Sequence, residues 1–530
     1  MAESVNRLAP LIRAMLNPEV YPVTADRVSL VQTHISFIFL VGSRAYKVKK
    51  PVNLGFLDYS TLGLREHFCR REVELNRRLA PDLYLGVEPI VATPAGTRVG
   101  GAGEPVEWCV VMRRLTEDRL LSTLLRRDEV TAEQIREVAQ QVAQFHRVAQ
   151  TGGEIDGFGD PQTIRGNTEE NFRQLAPYVG RTVAADRLAR IHAYTDDFLS
   201  QNARLFAERI ARQRIRDCHG DLHADSICLG DEVQIFDCIE FNDRFRYGDV
   251  ASEVAFLAMD LEHFGRSDLA WHFVDAYRQA SGDDIADSLL TFYTCYRAVV
   301  RAKVESFKLD DPGFTLDERA AARDEASIYF DVALTHAANG LHPTLLLTSG
   351  LMGTGKTTLA RELARRFGLV YLSSDVTRKR LAGLSPSEHR SEAFGEGIYA
   401  EEFSRQTYDA LFADARAWLA RGLSVILDAS FKHQAERDQA RQLAEEEGVR
   451  LVALECACSE DEIHRRLDRR EGDATSVSDG RWEIFERQKA DFTPWLASDH
   501  YAHLVVRTDQ GLARCLDDVR PHLFCHSPAC

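Results

Sequence analysis

No uninterrupted apolar run in this 530-residue chain approaches the roughly 20 residues that a membrane-crossing helix requires. No basic segment leads into an apolar stretch at its beginning, Met1-Ala-Glu-Ser-Val-Asn-Arg7. The expectation is a soluble, cytoplasmic protein without a membrane partner. An excess of positive charge is also missing: the formal charge is −16 and the pI about 5.6, so no broad basic surface is expected to neutralise the phosphates of a long nucleic acid. A regular cysteine framework is missing too. The 11 cysteines are scattered, Cys109, Cys228, Cys238 and Cys456 lie inside apolar runs, and an odd total cannot pair completely, which fits reduced thiols. Internal repeats, sustained heptads and low-complexity tracts are absent, which leaves globular domains as the architecture.

Apolar residues are plentiful. At 45% hydrophobic, the chain can fold throughout but is too long for one ordinary core, so two or three domains are expected. A helical pattern over 320–338 runs out at Asn339-Gly340, passes His342-Pro343 and yields to the apolar run 344–348. This places a boundary near 340, with domains 1–340 and 341–530. In the first, 36–41, a Gly42-Ser43 turn, 44–49 and 106–112 read as strands. From Thr131 onward Ile135, Val138, Val142 and Phe145 recur at helical spacing, as do apolar residues in 186–206, 250–264 and 285–308. A small sheet-bearing lobe followed by a helical lobe results, an α+β arrangement. In the second domain strand-like runs at 344–348, 369–373, 424–427, 449–456 and 503–506 alternate with helical stretches, the pattern of βαβ units on a parallel α/β sheet.

Gly350-Leu-Met-Gly353-Thr354-Gly355-Lys356-Thr357 matches G-x-x-x-x-G-K-S/T, after a strand and before a helix. Glycines let the backbone curl so that successive N–H groups face phosphate oxygens, and the following helix adds its positive end. Lys356 would reach the β- and γ-phosphates of ATP, Thr357 would hold Mg²⁺, and Thr358 completes the nucleotide-binding stretch. Asp428 ends the apolar strand 424–428, where a carboxylate can serve the metal or close a turn. Ala429 and Ser430 follow it, so the glutamate that polarises a hydrolytic water in motor ATPases is missing and transfer to a hydroxyl is favoured. Arg465, Arg466, Arg469 and Arg470 share a helix opened by Ser459-Glu-Asp. They read either as a lid over transferring phosphates or as a solvated face paired with Asp461, Glu462 and Asp468.

With Ser373-Ser374-Asp375-Val-Thr-Arg378-Lys379, this segment resembles the small P-loop kinases of the gluconate kinase, polynucleotide 5′-kinase and zeta-toxin type, over about 343–510. The resemblance implies that Asp375 takes the proton of the acceptor hydroxyl and that Arg378 helps bind the acceptor. From the residues alone Asp375 also reads as a helix N-cap.

Upstream, His219-Gly220-Asp221-Leu-His223-Ala-Asp225-Ser226 precedes a hairpin, 227–229 and 233–236 about Gly230-Asp231, that ends at Asp237. Kinase chemistry asks for a base at the acceptor hydroxyl, a side-chain ligand a few residues later and another carboxylate bridging metal and phosphates. The segment resembles the aminoglycoside phosphotransferase and choline-kinase branch of the bilobal kinase-like fold, over about 30–335. That resemblance implies Asp221 as catalytic base, Asp237 as principal Mg²⁺ ligand with Glu240 assisting, and a second ligand at Ser226. The family carries Asn at that last position; a serine hydroxyl is shorter and weaker, and Asp225 is the neighbouring source of oxygen. In Tyr46-Lys47-Val48-Lys49-Lys50, Lys47 is placed to grip the α- and β-phosphates, with Lys49 on the same face. Glu72, in a helix over 65–79, would orient that lysine or form a surface ion pair, and the backbone at Met112 would meet the adenine as a hinge. Phe241 to Arg244 and Asp249 to Glu253 resemble the segment after the metal aspartate in bacterial proteins that join these two domains.

The reading is a bifunctional kinase dependent on ATP and Mg²⁺, acting on hydroxyls of small molecules. Two rivals stand beside it. One is a nucleotide-dependent regulatory protein with a degenerate kinase-like domain, kept open by Ser226. The other is a polynucleotide 5′-hydroxyl kinase, against which residues 344–530 carry 25 Lys and Arg and 30 Asp and Glu, a net of −5. His522, Cys525, His526 and Cys530 are irregularly spaced and terminal, and read as a mobile tail rather than a zinc site. Neither the acceptor nor the oligomeric state is encoded in these motifs.

Overall fold

The computed structural model describes residues 2–94, 96–311, 313–338, 343–384, 397–471, 482–495 and 501–523. They form two compact units, one of 1–173, 196–260 and 271–297, the other of 174–195, 261–270 and 298–530. The expected boundary at 340 falls on residues outside those described. No helix among the described residues is long and apolar enough to cross a membrane. Their nine cysteines carry free thiols, eight of them buried.

The first unit is built on six antiparallel strands: β1 (Val28–Gln32), β2 (Ser36–Val41), β3 (Arg44–Lys49), β4 (Tyr84–Thr93), β5 (Gly96–Val99) and β6 (Glu104–Arg113), in the order β1-β2-β3-β6-β4-β5. Gly42, at φ +55°, and Ser43 make the two-residue turn that pairs Val41 with Arg44. Strand periodicity then sorts the side chains of β3. Tyr46 and Val48 join Phe37, Phe39 and Val41 in one core, whereas Ala45 faces the core shared with Cys69 and Val73 of the helix Leu62–Asn76. Lys47 and Lys49 have the parity of Ala45, so they face that helix. β4 and β5 were not expected from sequence: β4 contains Gly86 and Pro89, and its pairing with β6 slips twice, which blurs alternation. The helical lobe follows, with Ala132–Val148 capped by Thr131 and Gln134, the largely buried Val250–His263 and the long, half-buried Asp287–Phe307. Short pieces carry the chemistry-bearing loop: β7 (Ile215–Asp217), the hairpin β8 (Ile227–Leu229) and β9 (Val233–Ile235), and β10 (Tyr247–Asp249), which pairs with β7.

The second unit contains five parallel strands, β11 (Thr344–Ser349), β12 (Val370–Ser373), β13 (Val425–Asp428), β14 (Arg450–Ala457) and β15 (Ala502–Arg507), ordered β12-β13-β11-β14-β15. β11 is buried on both faces: Leu346 packs with Leu359 and Leu363 of the helix Lys356–Phe367, and Leu345 and Leu347 pack with Leu411 and Leu443 on the other side. The strand order reverses at β11, and in open α/β sheets ligands bind beyond the strand ends at such a switch point. The far end of the helix Lys356–Phe367 is anchored at the buried Asp331 of Leu316–Ala337, which accepts from Arg366 at 2.8 Å and Arg520 at 3.0 Å and also pairs with Arg187.

Candidate active sites

In the second unit the loop after β11 needs glycine for two separate reasons. Gly350, Gly353 and Gly355 have φ of +130°, +78° and +86°, where a Cβ is strained, and a Cβ on Gly350 would lie 2.5 Å from the carbonyl oxygen of Cys456. Lys356 opens the helix and lays its Nζ on the carbonyl of Leu351 at 2.9 Å, with Thr354 Oγ1 donating to the same oxygen at 2.7 Å. Thr357 and Thr358 are exposed in the first turn. Asp428 ends β13 and accepts from Tyr371 Oη at 2.7 Å and Thr348 Oγ1 at 3.3 Å, both neutral donors. Asp375 is the second residue of the helix Ser374–Leu381; Ser373 occupies the N-cap position, so the N-cap reading does not describe it. Burial raises the Asp375 carboxyl above the ordinary range, Arg378 opposes that shift and Asp428 adds to it. The side chain remains 44% exposed, toward an open cleft. Arg378 reaches Asp375 at 3.1 Å, lies over the ring of Tyr399, and keeps a buried Nε without a hydrogen-bond partner.

Lys356, Thr357, Asp375, Arg378 and Asp428 line one cleft of about 980 Å³, together with Tyr399, Lys432, Glu436 and Gln488. A hydroxyl and a carboxylate lining the same cleft are hard oxygen donors of the kind a Mg²⁺ ion takes, so the residues fit that ion. Sequence reasoning missed Gln488, which accepts from the Met352 N–H at 3.0 Å, and Thr508, whose hydroxyl donates to the carbonyl of Thr354 at 2.6 Å. Neither belongs to a contiguous motif. Of the four candidate arginines, Arg465 pairs on the surface with Glu462, and Arg466 turns to the glycine loop; the side chains of Arg469 and Arg470 lie outside the described residues. Cys525, His526 and Cys530 lie outside them as well.

In the first unit the two lysines of β3 meet one carboxylate. Glu72, wholly buried in the helix Leu62–Asn76, takes Lys47 at 2.9 Å and Lys49 at 2.6 Å, which excludes the surface-pair reading. Lys47 continues to Asp237 at 2.6 Å, whereas Lys49 is bound by Glu240 and sits 3.3 Å from Tyr59 Oη, itself bonded to Glu240. Burial works against the charge of Lys47, but Asp237 and Glu72 outweigh it and hold the pKa above the ordinary value. Burial likewise opposes the charge on Glu72, and the two lysines overcome it, so Glu72 stays ionised well below the usual range. Asp237 has φ +66°, and its N–H donates to Tyr84 Oη at 3.1 Å. Met112 is the penultimate residue of β6, opposite Ala45 and Tyr84.

Asp221 is partly exposed, with His223 Nε2 3.4 Å from its carboxylate. The loop that carries it hangs from Glu253 of the helix Val250–His263, which sequence reasoning quoted without assigning a role. Glu253 accepts the N–H groups of His219 at 2.8 Å and Gly220 at 2.6 Å and contacts His146 Nε2 at 2.7 Å. Burial would raise its pKa, but those donors and the neighbouring histidines bring it down to about 2. His219 is fully buried, which lowers its pKa, so it is neutral; its Nε2 donates to the carbonyl of Phe236 at 2.9 Å, leaving Nδ1 to accept from the Asp221 N–H at 3.3 Å. Arg297 adds a bond to the Gly220 carbonyl at 3.3 Å.

For Mg²⁺ the residues of this unit fit unequally. Asp237 offers a carboxylate with 58% of its side chain exposed. Ser226 is 2% exposed, donates its hydroxyl to the carbonyl of His223 at 2.7 Å and accepts the His223 N–H at 3.1 Å. Glu240 is committed to Lys49 and Tyr59, and Asp225 points outward, 54% exposed.

The folds and the family matches define a kinase-type protein that joins a phosphotransferase-family domain to a P-loop kinase-like domain. Residues 65–289 match the model of the phosphotransferase enzyme family, and 345–495 match an AAA domain family. The chain belongs to the same family as an uncharacterized protein of Mycobacterium tuberculosis and its counterpart in Mycobacterium bovis, each 37% identical over 465 residues, 86% of this chain and 90% of the relative. Among solved structures, a choline/ethanolamine kinase family protein from Mesorhizobium loti is similar over 63% of this chain and 100% of its own, at 12% identity and a TM-score of 0.37. A gluconokinase from Sinorhizobium meliloti is similar over 34% of this chain and 91% of its own, at 18% identity and a TM-score of 0.24. At those scores neither likeness bears on the reaction.

Proposed function

We propose that the chain transfers the γ-phosphoryl group of ATP to a hydroxyl of a small molecule, with the cleft of the second unit as the principal active site. The observation that carries this reading is the convergence of Lys356, Asp375 and Asp428 on one cleft floored by a glycine loop. Loop amides and the helix terminus would bind the phosphate tail, and Lys356 would exchange the Leu351 carbonyl for phosphate oxygens. Mg²⁺, held by Thr357 and Asp428, would supply neutralisation of phosphate charge. Asp375, its basicity raised by burial, would accept the acceptor's proton as the new O–P bond forms and the bond to the β,γ-bridging oxygen breaks, ADP leaving with that electron pair. Arg378, anchored by Asp375 and lying over Tyr399, would orient the acceptor with the part of its guanidinium that lines the cleft. The reaction needs no long nucleic acid and no membrane.

The first unit supports a second reading for itself alone. Lys47, Glu72, Asp237 and Asp221 are arranged for nucleotide and acceptor, but Ser226 spends its hydroxyl on the backbone. Its phosphotransfer would therefore be slow, and nucleotide binding its main contribution. Incubating the protein with ATP, Mg²⁺ and a metabolite extract, and detecting phosphorylated products by mass spectrometry, separates these roles. Product lost in Asp375→Asn and retained in Asp221→Asn is expected; the reverse pattern refutes the ranking of the two sites.

A further inference from the structure

Resting on the P-loop reading above, we infer that Arg466 and Thr508 are positioning residues that hold the glycine loop in its phosphate-binding curvature from the side opposite the cleft. Arg466 lies on the helix Glu460–Glu471, where sequence allowed either a lid or a solvated face. The structure assigns its guanidinium elsewhere. Nη1 donates to the carbonyl of Gly353 at 3.4 Å and to Thr508 Oγ1 at 3.2 Å, Nη2 donates to the Thr508 carbonyl at 2.9 Å, and Nε is fixed by Glu462 at 2.8 Å, one turn back. Thr508, just past β15, donates its own hydroxyl hydrogen bond to the carbonyl of Thr354 at 2.6 Å. Two consecutive loop carbonyls are thus drawn to one bracket.

The peptide plane gives this its consequence. Because C=O and N–H of one peptide unit point in opposite directions, pinning the Thr354 carbonyl on Thr508 sends the Gly355 N–H the other way, toward where phosphate oxygens would lie. Gly355 is the hinge of the arrangement. Its φ of +86° suits glycine, and a Cβ there would lie 3.0 Å from Arg466 Nη1 and 3.4 Å from Thr508 Cβ, so the bracket occupies the space a side chain would need. The loop also has an inner strut, Thr354 Oγ1 and Lys356 Nζ on the Leu351 carbonyl, and Lys356 must leave that oxygen to reach phosphate. The outer bracket is the part that stays when nucleotide enters. Arg466 accordingly contributes its charge to backbone carbonyls rather than to the transferring group, and its removal should be felt in nucleotide affinity before it is felt in turnover.

The test uses the full chain carrying Lys47→Met, which silences the other site, and measures Mg²⁺–ATP affinity by calorimetry, together with KM and kcat. Arg466→Ala is expected to weaken binding about tenfold, and Thr508→Val, which removes only the hydroxyl, about fivefold, as losses of bonds to a loop that must be preformed. KM should rise with kcat at saturating ATP held within about twofold, Thr508→Ser should restore binding, and thermal unfolding of the Thr508 variants should match the parent. Lys356→Ala is the control. If it abolishes binding while Arg466→Ala and Thr508→Val bind as the parent does, the bracket is refuted and the P-loop site survives. If Lys356→Ala binds normally, the P-loop reading itself fails.

Discussion

The two sites of this chain hold their lysines in opposite ways. In the first unit Lys47 and Lys49 are locked among Glu72, Asp237 and Glu240, and each of those ion pairs joins side chains distant in sequence. In the second, Lys356 rests on a backbone carbonyl, and the site is formed by the curl of eight contiguous residues and the helix that follows. One site is made of side-chain charge and the other of backbone shape. A charge network fails when any partner is removed, because a buried ion is left unpaired. A backbone cradle is weakened in steps as distant partners are lost, and is spoiled outright by a Cβ at its glycines.

The largest expected effect tests the chemistry that distinguishes the second site. Asp375→Asn should lower its kcat by about 10²–10⁴-fold in steady-state assays while leaving nucleotide affinity within a few-fold, since the residue meets the acceptor rather than the loop. Equal losses in affinity and kcat would mean that Asp375 is structural. Next, Glu72→Ala should destabilise the first unit by about 3–5 kcal/mol in denaturant unfolding, with two lysines stranded in a buried site, and should leave the P-loop reaction intact. A loss below about 1 kcal/mol would show that water reaches those lysines.

The difference between the sites was also a difference in legibility. The glycine loop was readable because its geometry is written in adjacent residues, and Asp428 was readable as the end of an apolar strand. Glu72 was placed on its helix, but its burial between two lysines depends on the parity of β3 meeting a helix that begins thirteen residues after that strand ends. Glu253 was invisible as a support for the His219-Gly220-Asp221 loop, since the bonds it accepts are from backbone N–H groups that any sequence offers. The same holds for Thr508 and Gln488, whose partners in the glycine loop lie more than a hundred residues away. Asp375 as N-cap was overturned by two positions: the helix starts at Ser374 rather than Val376, and Ser373 takes the cap.

Acid should sharpen the comparison further. Glu253 has a folded pKa of about 2 against an ordinary 4.5, so its stabilisation, roughly 3 kcal/mol, is present above 4.5 and is lost as pH falls from there toward 2. His219 has a depressed pKa and stays neutral in the folded state, so protonation in the unfolded state draws stability away below about 6.5. Both act in the first unit, which should lose denaturant resistance between pH 6.5 and 4 more steeply than Glu253→Gln does over the lower part of that range; parallel curves would contradict the assignment. A smaller effect is expected of Ser226→Asn, which should raise the divalent-ion affinity of the first unit about tenfold in Mn²⁺ titrations of a Lys356→Ala background. No change would mean that the loop backbone, not the side chain, limits that site. The smallest belongs to Arg465→Ala: paired with Glu462 on the surface, it should shift stability by less than about 0.5 kcal/mol and leave turnover unaltered.

The central claim is that the curled loop at Gly350 to Thr357 grips the tail of ATP. Equilibrium dialysis of the full chain with a non-hydrolysable ATP analogue and Mg²⁺ tests it directly. The account predicts retention at both sites, with Lys356→Ala abolishing the part contributed by the loop and Lys47→Met the remainder. Lys356→Ala protein that retains as much nucleotide as the parent would contradict it.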